Sequence, residues 1–95
     1  MNYKNLVAST NLALTEFSKK NIASIELAVY DSIIEQLKFI LHEANLGNDP
    51  RDSLPQGQTF TYGVISSRNF ASPEELKLKR FLDDVTSHLY PEDFS

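Results

Sequence analysis

The chain has 95 residues, 41% of them apolar and ten aromatic, which suits one small domain (1–95) with its own core and is too apolar for a disordered segment. Nine Lys and Arg stand against thirteen Asp and Glu, a formal charge of −4, so no basic patch is offered to a nucleic-acid backbone. The absence of cysteine excludes a disulfide framework, a Cys-ligated zinc site and a thiol nucleophile, and no run approaches the roughly eighteen apolar residues of a membrane span.

The start of the chain lacks the basic-then-apolar pattern of a signal peptide, so the expected location is cytoplasmic. Mild acidity keeps such a protein soluble; if it has a functional meaning, that meaning is a basic partner.

Residues 2 to 20 read as a first helix, with Tyr3, Leu6, Val7, Thr10, Leu14 and Phe17 on one face and Asn5, Thr15 and Lys19 turned away. Lys19 and Lys20 suit its negative end, and Asn21 is the expected terminator. The short break that follows predicts an antiparallel helical hairpin.

The second helix, expected over 22–46, is the organising element. Ile22, Ile25, Val29, Ile33, Leu37, Ile40 and Leu41 recur at three- and four-residue steps, and Leu27, Tyr30 and Ile34 widen that face. Asp31, Glu35, Lys38, His42 and Asn45 form its wet stripe. A helix so broadly apolar is central and packed by more than one neighbour. Gly47 is placed to take a left-handed conformation after the last turn, and Pro50 blocks continuation.

Residues 48–58 carry turn punctuation: Asp49-Pro50, Leu54-Pro55 and Gly57. The next stretch, Thr59 to Val64, alternates like a strand, yet nothing in the chain would pair with a lone strand. It also puts Phe60, Val64 and Ser67 on one helical line, so periodicity leaves both readings open. A last helix over 73–90 has a capping box in Ser72 and Glu75, with Pro73 at its first position. Leu78, Phe81, Leu82, Val85 and Leu89 give its buried face, Tyr90-Pro91 ends it, and 92–95 is too short and polar to fold alone.

Chemistry-bearing constellations are nearly absent. His42 falls on the wet stripe and His88 near a helix end, where it suits the dipole. No ligand spacing for a metal, phosphate-binding glycine loop, dinucleotide fingerprint or nucleophile elbow occurs, so neither cofactor nor metal is expected. Glu74-Glu75 and Asp83-Asp84 diverge by about 100° on a helix and read as solvated faces. Asp49, Arg51 and Asp52 sit on a Pro-restricted loop that either presents them or ties Asp49 and Arg51 in a local ion pair. Tyr62 and Arg68 are of the types that dominate interfaces. By elimination, this is a binding module and not an enzyme.

One set of residues goes further. Glu35-Gln36-Leu37, Arg51 three residues before Leu54, the run Thr61-Tyr62-Gly63-Val64-Ile65 with Phe70, and Pro73-Glu74-Glu75-Leu76 resemble a family of small bacterial immunity proteins. That family neutralises NAD(P)-hydrolysing toxins delivered by type VI secretion, and the likeness spans roughly residues 22 to 90. Arg68-Asn69 departs from its usual basic-acidic pair, and Pro55-Gln56-Gly57 looks inserted.

The resemblance implies an all-α, four-helix domain in which 59–67 is helical. Gly63 then lies inside a helix, at a cost of about 1 kcal/mol relative to Ala, and is expected where another helix crosses closely. It also implies a cognate toxin as partner, in interbacterial competition, blocked at its dinucleotide cleft without catalysis. Asp49, Arg51, Asp52, Tyr62 and Arg68 are then the candidate toxin-binding residues, with Asp31, Glu35 and His42 as a second candidate surface. An immunity protein for another toxin chemistry, nuclease or nucleotide-modifying, has the same composition. A self-associating helical adaptor is the remaining alternative.

Overall fold

Four α-helices and no strand form among the described residues, 3–19 and 25–94 of the computed structural model. They are α1 (Lys4–Lys19), α2 (Leu27–Asn45), α3 (Tyr62–Asn69) and α4 (Pro73–Leu89), followed by a 3₁₀ turn over Pro91–Phe94. The domain is all-α, as expected.

Helix α1 packs on both α4 and α2, and the short α3 packs on α2 and α4. The shared core takes Leu6, Ala13 and Phe17 from α1, Ile33, Leu37, Ile40 and Ala44 from α2, and Leu78, Leu82, Val85 and Leu89 from α4. Tyr62 and Phe70 close it from α3 and its C-terminal end. The buried line of α1 is rotated from the expected one: Ser9 and Ala13 are buried, while Tyr3, Val7 and Leu14 are half-buried. Small side chains on that line leave room for two neighbouring helices. Buried Ser9 and Thr10 avoid an unsatisfied hydroxyl by donating to the Leu6 carbonyl at 3.1 and 2.7 Å.

The Tyr30 hydroxyl donates to the Phe17 carbonyl at 2.8 Å, joining the start of α2 to the end of α1 as a helical hairpin requires. Lys20, Asn21 and Ile22 lie outside the described residues. Glu26 is extended (ψ 140°), so α2 begins at Leu27. Ile25 and Tyr30 occupy the two positions of a hydrophobic staple, and both pack on the core. The end of α2 follows the sequence reading: Gly47 has φ +80°, its N–H meets the Ala44 carbonyl at 3.1 Å, and the Asn48 N–H meets that of Glu43 at 2.9 Å. These two bonds make a Schellman motif.

The capping box of α4 is complete. Ser72 Oγ accepts from the Glu75 N–H at 3.2 Å, and Glu75 Oε1 accepts from the N–H groups of Ser72 and Ala71 at 2.8 and 3.0 Å. Glu75 is consequently buried, not part of a solvated face with Glu74. The tail does not fold alone: Pro91–Phe94 forms a 3₁₀ turn that packs on α4. Ser95 lies outside the described residues.

Residues 59–61 are neither strand nor helix, and α3 starts at Tyr62. Gly63 is helical, but a Cβ built there meets nothing within 4 Å. Among the described residues no helix crosses close to it, contrary to the expectation from the resemblance.

Candidate functional site

The start of α3 is fixed by a residue of α2. Thr61 occupies the N-cap position but makes no side-chain capping bond. Gln36 does that work from across the fold. Its Oε1 accepts from the N–H groups of Thr61 and Tyr62, each at 2.9 Å, and its Nε2 donates to Thr61 Oγ1 at 3.0 Å and Ser32 Oγ at 3.3 Å. A primary amide is the one uncharged side chain able to accept and donate in this way.

Below this clamp lies an open hollow of about 540 Å³, lined by Glu35, Gln36, Phe39, Leu54, Gln58, Thr59, Phe60 and Thr61. The rings of Phe39 and Phe60 meet at 5.9 Å between centroids, tilted 52°, and Phe60 continues to Tyr62 at 6.3 Å. Sequence reading missed Gln36, Phe39, Leu54 and Phe60 as site residues. A signal was present: Phe39 belongs to neither apolar line of α2, and Gln36 is polar off the wet stripe.

The 48–58 loop is anchored by fully buried Pro50 and by a cluster around Arg51. Asp49 Oδ1 accepts from Arg51 N–H at 3.0 Å and from Arg51 Nε at 3.1 Å, while Asp49 Oδ2 accepts from Nη2 at 2.8 Å. Arg51 Nη1 donates to Glu92 of the 3₁₀ turn, and the guanidinium lies 5.2 Å from the centre of the Tyr90 ring. The Arg51 guanidinium holds the Asp49 carboxyl below its ordinary range, against the opposing effect of burial. Asp49 in turn raises Arg51. The Glu92 carboxyl is lowered by a backbone hydrogen bond and then by Arg51.

The expected site residues are therefore distributed unevenly. Asp49 and Arg51 come together in the local ion pair, with Asp52 exposed beside them. Tyr62 is 2% exposed and shares a 2.8 Å hydrogen bond with Thr86 Oγ1, and burial pushes its hydroxyl up to about 12. Such a side chain is a core anchor, which corrects its expected role on a binding surface. Arg68 is exposed near the end of α3. Asp31, Glu35 and His42 are all exposed along α2, and Glu35 reaches the rim of the hollow. Among the described residues no group of three or more His, Asp or Glu is placed to hold a metal ion. No described helix is long and apolar enough to cross a membrane.

A small all-α scaffold that holds an aromatic hollow and an exposed polar stripe on α2 is equipped for binding. The Tsi6 family model matches residues 5–90. The chain belongs to the Tsi6 family. Tsi6 is a type VI secretion immunity family, so this is a type VI immunity protein and its partner is a cognate toxin. The match includes nearly all of α1, which the sequence likeness did not reach. No curated protein and no solved structure gave a match.

Proposed function

We propose that this Tsi6-family protein neutralises an NAD(P)-hydrolysing toxin in the cytoplasm by covering its dinucleotide cleft, without catalysis. The carrying observation is the exposed carboxylates of α2, Asp31 and Glu35, together with the exposed loop acid Asp52, on a chain of net charge −4. A cleft that binds a dianionic pyrophosphate is electropositive, and a complementary acidic face speeds encounter and fixes orientation. An interface of about 1,600 Å² in total suffices for tight binding.

Within this reading Asp31, Glu35, His42, Asp52 and Arg68 are contact residues. Asp49 and Arg51 act through each other, holding the loop that presents Asp52. The conformation of that loop is determined before the partner arrives, which lowers the entropy lost on association.

The test is a toxicity rescue with an NAD(P) readout. The toxin domain encoded beside this gene is expressed in a test bacterium with and without this protein. Depletion of NAD(P), with both NAD(P) and growth restored by the protein, is the expected result. Growth rescue from a toxin that never lowers NAD(P) assigns another chemistry. No rescue of either kind overturns the pairing.

A further inference from the structure

The hollow between α2 and residues 54–61 has a specific chemistry. Its floor is apolar, made by Phe39, Phe60 and Leu54, and both rings are only half-buried, so part of each faces the opening. Its rim carries the Glu35 carboxylate, which makes no hydrogen bond or ion pair among the described residues. Asp31 lies one helical turn earlier, exposed and likewise without a partner among the described residues. The polar atoms of Gln36 are already engaged with Thr61, Tyr62 and Ser32 and are not offered to an occupant.

Resting on the immunity reading, we infer that this hollow receives a basic side chain of the toxin, arginine or lysine. Its aliphatic stem lies over Phe39 and Phe60, and its cation meets Glu35.

Each alternative occupant fits less well. An anionic group would be repelled by Glu35. A purely apolar anchor would cover the floor while drying an unpaired carboxylate at the rim, an unfavourable burial. A long cationic side chain satisfies both parts, because its methylene stem is apolar and its head is attracted to ring faces and carboxylates alike. The same combination occurs inside this protein, where the Arg51 guanidinium lies over Tyr90 and is paired with Asp49 and Glu92. At about 540 Å³ the hollow also admits neighbouring residues of a loop tip. The Gln36 clamp holds its two walls together, so it is formed in advance of binding.

The experiment measures affinity of the purified protein for a catalytically inactivated form of the toxin domain encoded beside this gene, alongside growth rescue by the same variants. Glu35→Lys reverses the rim charge, Gln58→Trp fills the hollow from an exposed position, and Glu74→Lys makes the same charge change on the first turn of α4. All three positions are exposed, and thermal melts verify that each variant folds. Glu35→Lys and Gln58→Trp should each weaken binding by roughly 30-fold or more, the low end for breaking a desolvated charge pair, with Glu74→Lys within about threefold. Substituting one toxin Arg or Lys by Glu should then restore binding to Glu35→Lys.

If wild type binds and protects while Glu35→Lys and Gln58→Trp stay within about threefold, the hollow is not the contact and the immunity reading survives. If Gln58→Trp weakens binding but Glu35→Lys does not, the occupant is uncharged and the assignment of a basic side chain falls. If wild type neither binds nor protects, the toxin pairing itself fails and takes this inference with it.

Discussion

Gln36 Oε1 lies 2.9 Å from the backbone nitrogen of Tyr62, so a side chain of α2 caps a helix that begins 26 residues later. The bond shapes α3, one wall of the hollow, and the approach of Tyr62 to the core. It also makes Gln36 a point of fragility. Gln36→Ala leaves two N–H groups at the start of α3 without their acceptor. Water compensates in part, because Thr61 is exposed, and a loss of about 1–3 kcal/mol is expected. In a domain of this size that lowers the melting temperature by several degrees. Gln36→Glu keeps the acceptor and adds negative charge at a helix N-terminus, so it should lose much less. Circular dichroism melts give the order, and amide exchange should show Thr61 and Tyr62 as the most exposed by Gln36→Ala. Equal melts for wild type and Gln36→Ala would remove the clamp from the account.

The two glycines flanking this region should respond in opposite directions. Gly63 is helical, with open space where a Cβ would stand, so Gly63→Ala should raise stability by about 0.5–1 kcal/mol. Gly47 has φ +80°, where a side chain is strained even though space is free, and Gly47→Ala should cost about 1 kcal/mol. Urea midpoints of the two variants, one above and one below wild type, check both. A destabilised Gly63→Ala would mean that a neighbour does pack there.

These contrasts mark what was legible in the sequence. Helix ends governed by local chemistry were readable: Gly47 after α2, and Ser72 with Glu75 before α4, act within a few residues of themselves. The start of α2 was not, because apolar spacing continues through Ile22 and Ile25 while Glu26 makes no side-chain cap to announce the boundary. The segment 59–61 reads like a strand because its alternation is real. What decides it is Gln36, on another element, and tertiary contacts override local propensity. Tyr62 misled for a related reason. Tyrosine serves interfaces and cores equally, and only its approach to Thr86 distinguishes the two. The hollow needed α2 and the 54–61 segment side by side before Phe39 and Phe60 could be seen as one surface.

The loop cluster predicts an acid sensitivity. The folded pKa of Asp49 lies below its unfolded value, mainly through the hydrogen bond from Arg51. Its contribution is therefore fully present above the unfolded pKa near 3.8 and is lost as pH falls through the folded value. Asp49→Asn should lower stability at pH 7, and the gap between variant and wild type should shrink on acidification below about pH 4. Arg51→Lys should show part of the same loss, since an ammonium does not reproduce the two-nitrogen contact with Asp49. Chemical unfolding at a series of pH values measures this. A gap that stays constant down to pH 2 would mean that ionisation of Asp49 contributes nothing to stability.

At the alkaline end the sensitive group is Tyr62. Burial raises its hydroxyl to about 12 from an ordinary value of 10.0, so the folded state retains a proton that the unfolded chain gives up. Stability from this group is intact below the unfolded value near 10.0 and declines as pH rises toward about 12. Tyr3 is also raised above the ordinary value, so absorbance of tyrosinate should show more than one late tyrosine, and Tyr62→Phe should delete the step near 12. The substitution also removes the bond to Thr86 Oγ1, which still donates to the Leu82 carbonyl at 3.0 Å, so the expected cost is about 1 kcal/mol. Because the ring is in the core, affinity for the toxin should stay within about threefold of wild type, the scale of a residue outside the contact. A large loss of affinity with an unchanged melt would instead put the Tyr62 hydroxyl at the interface.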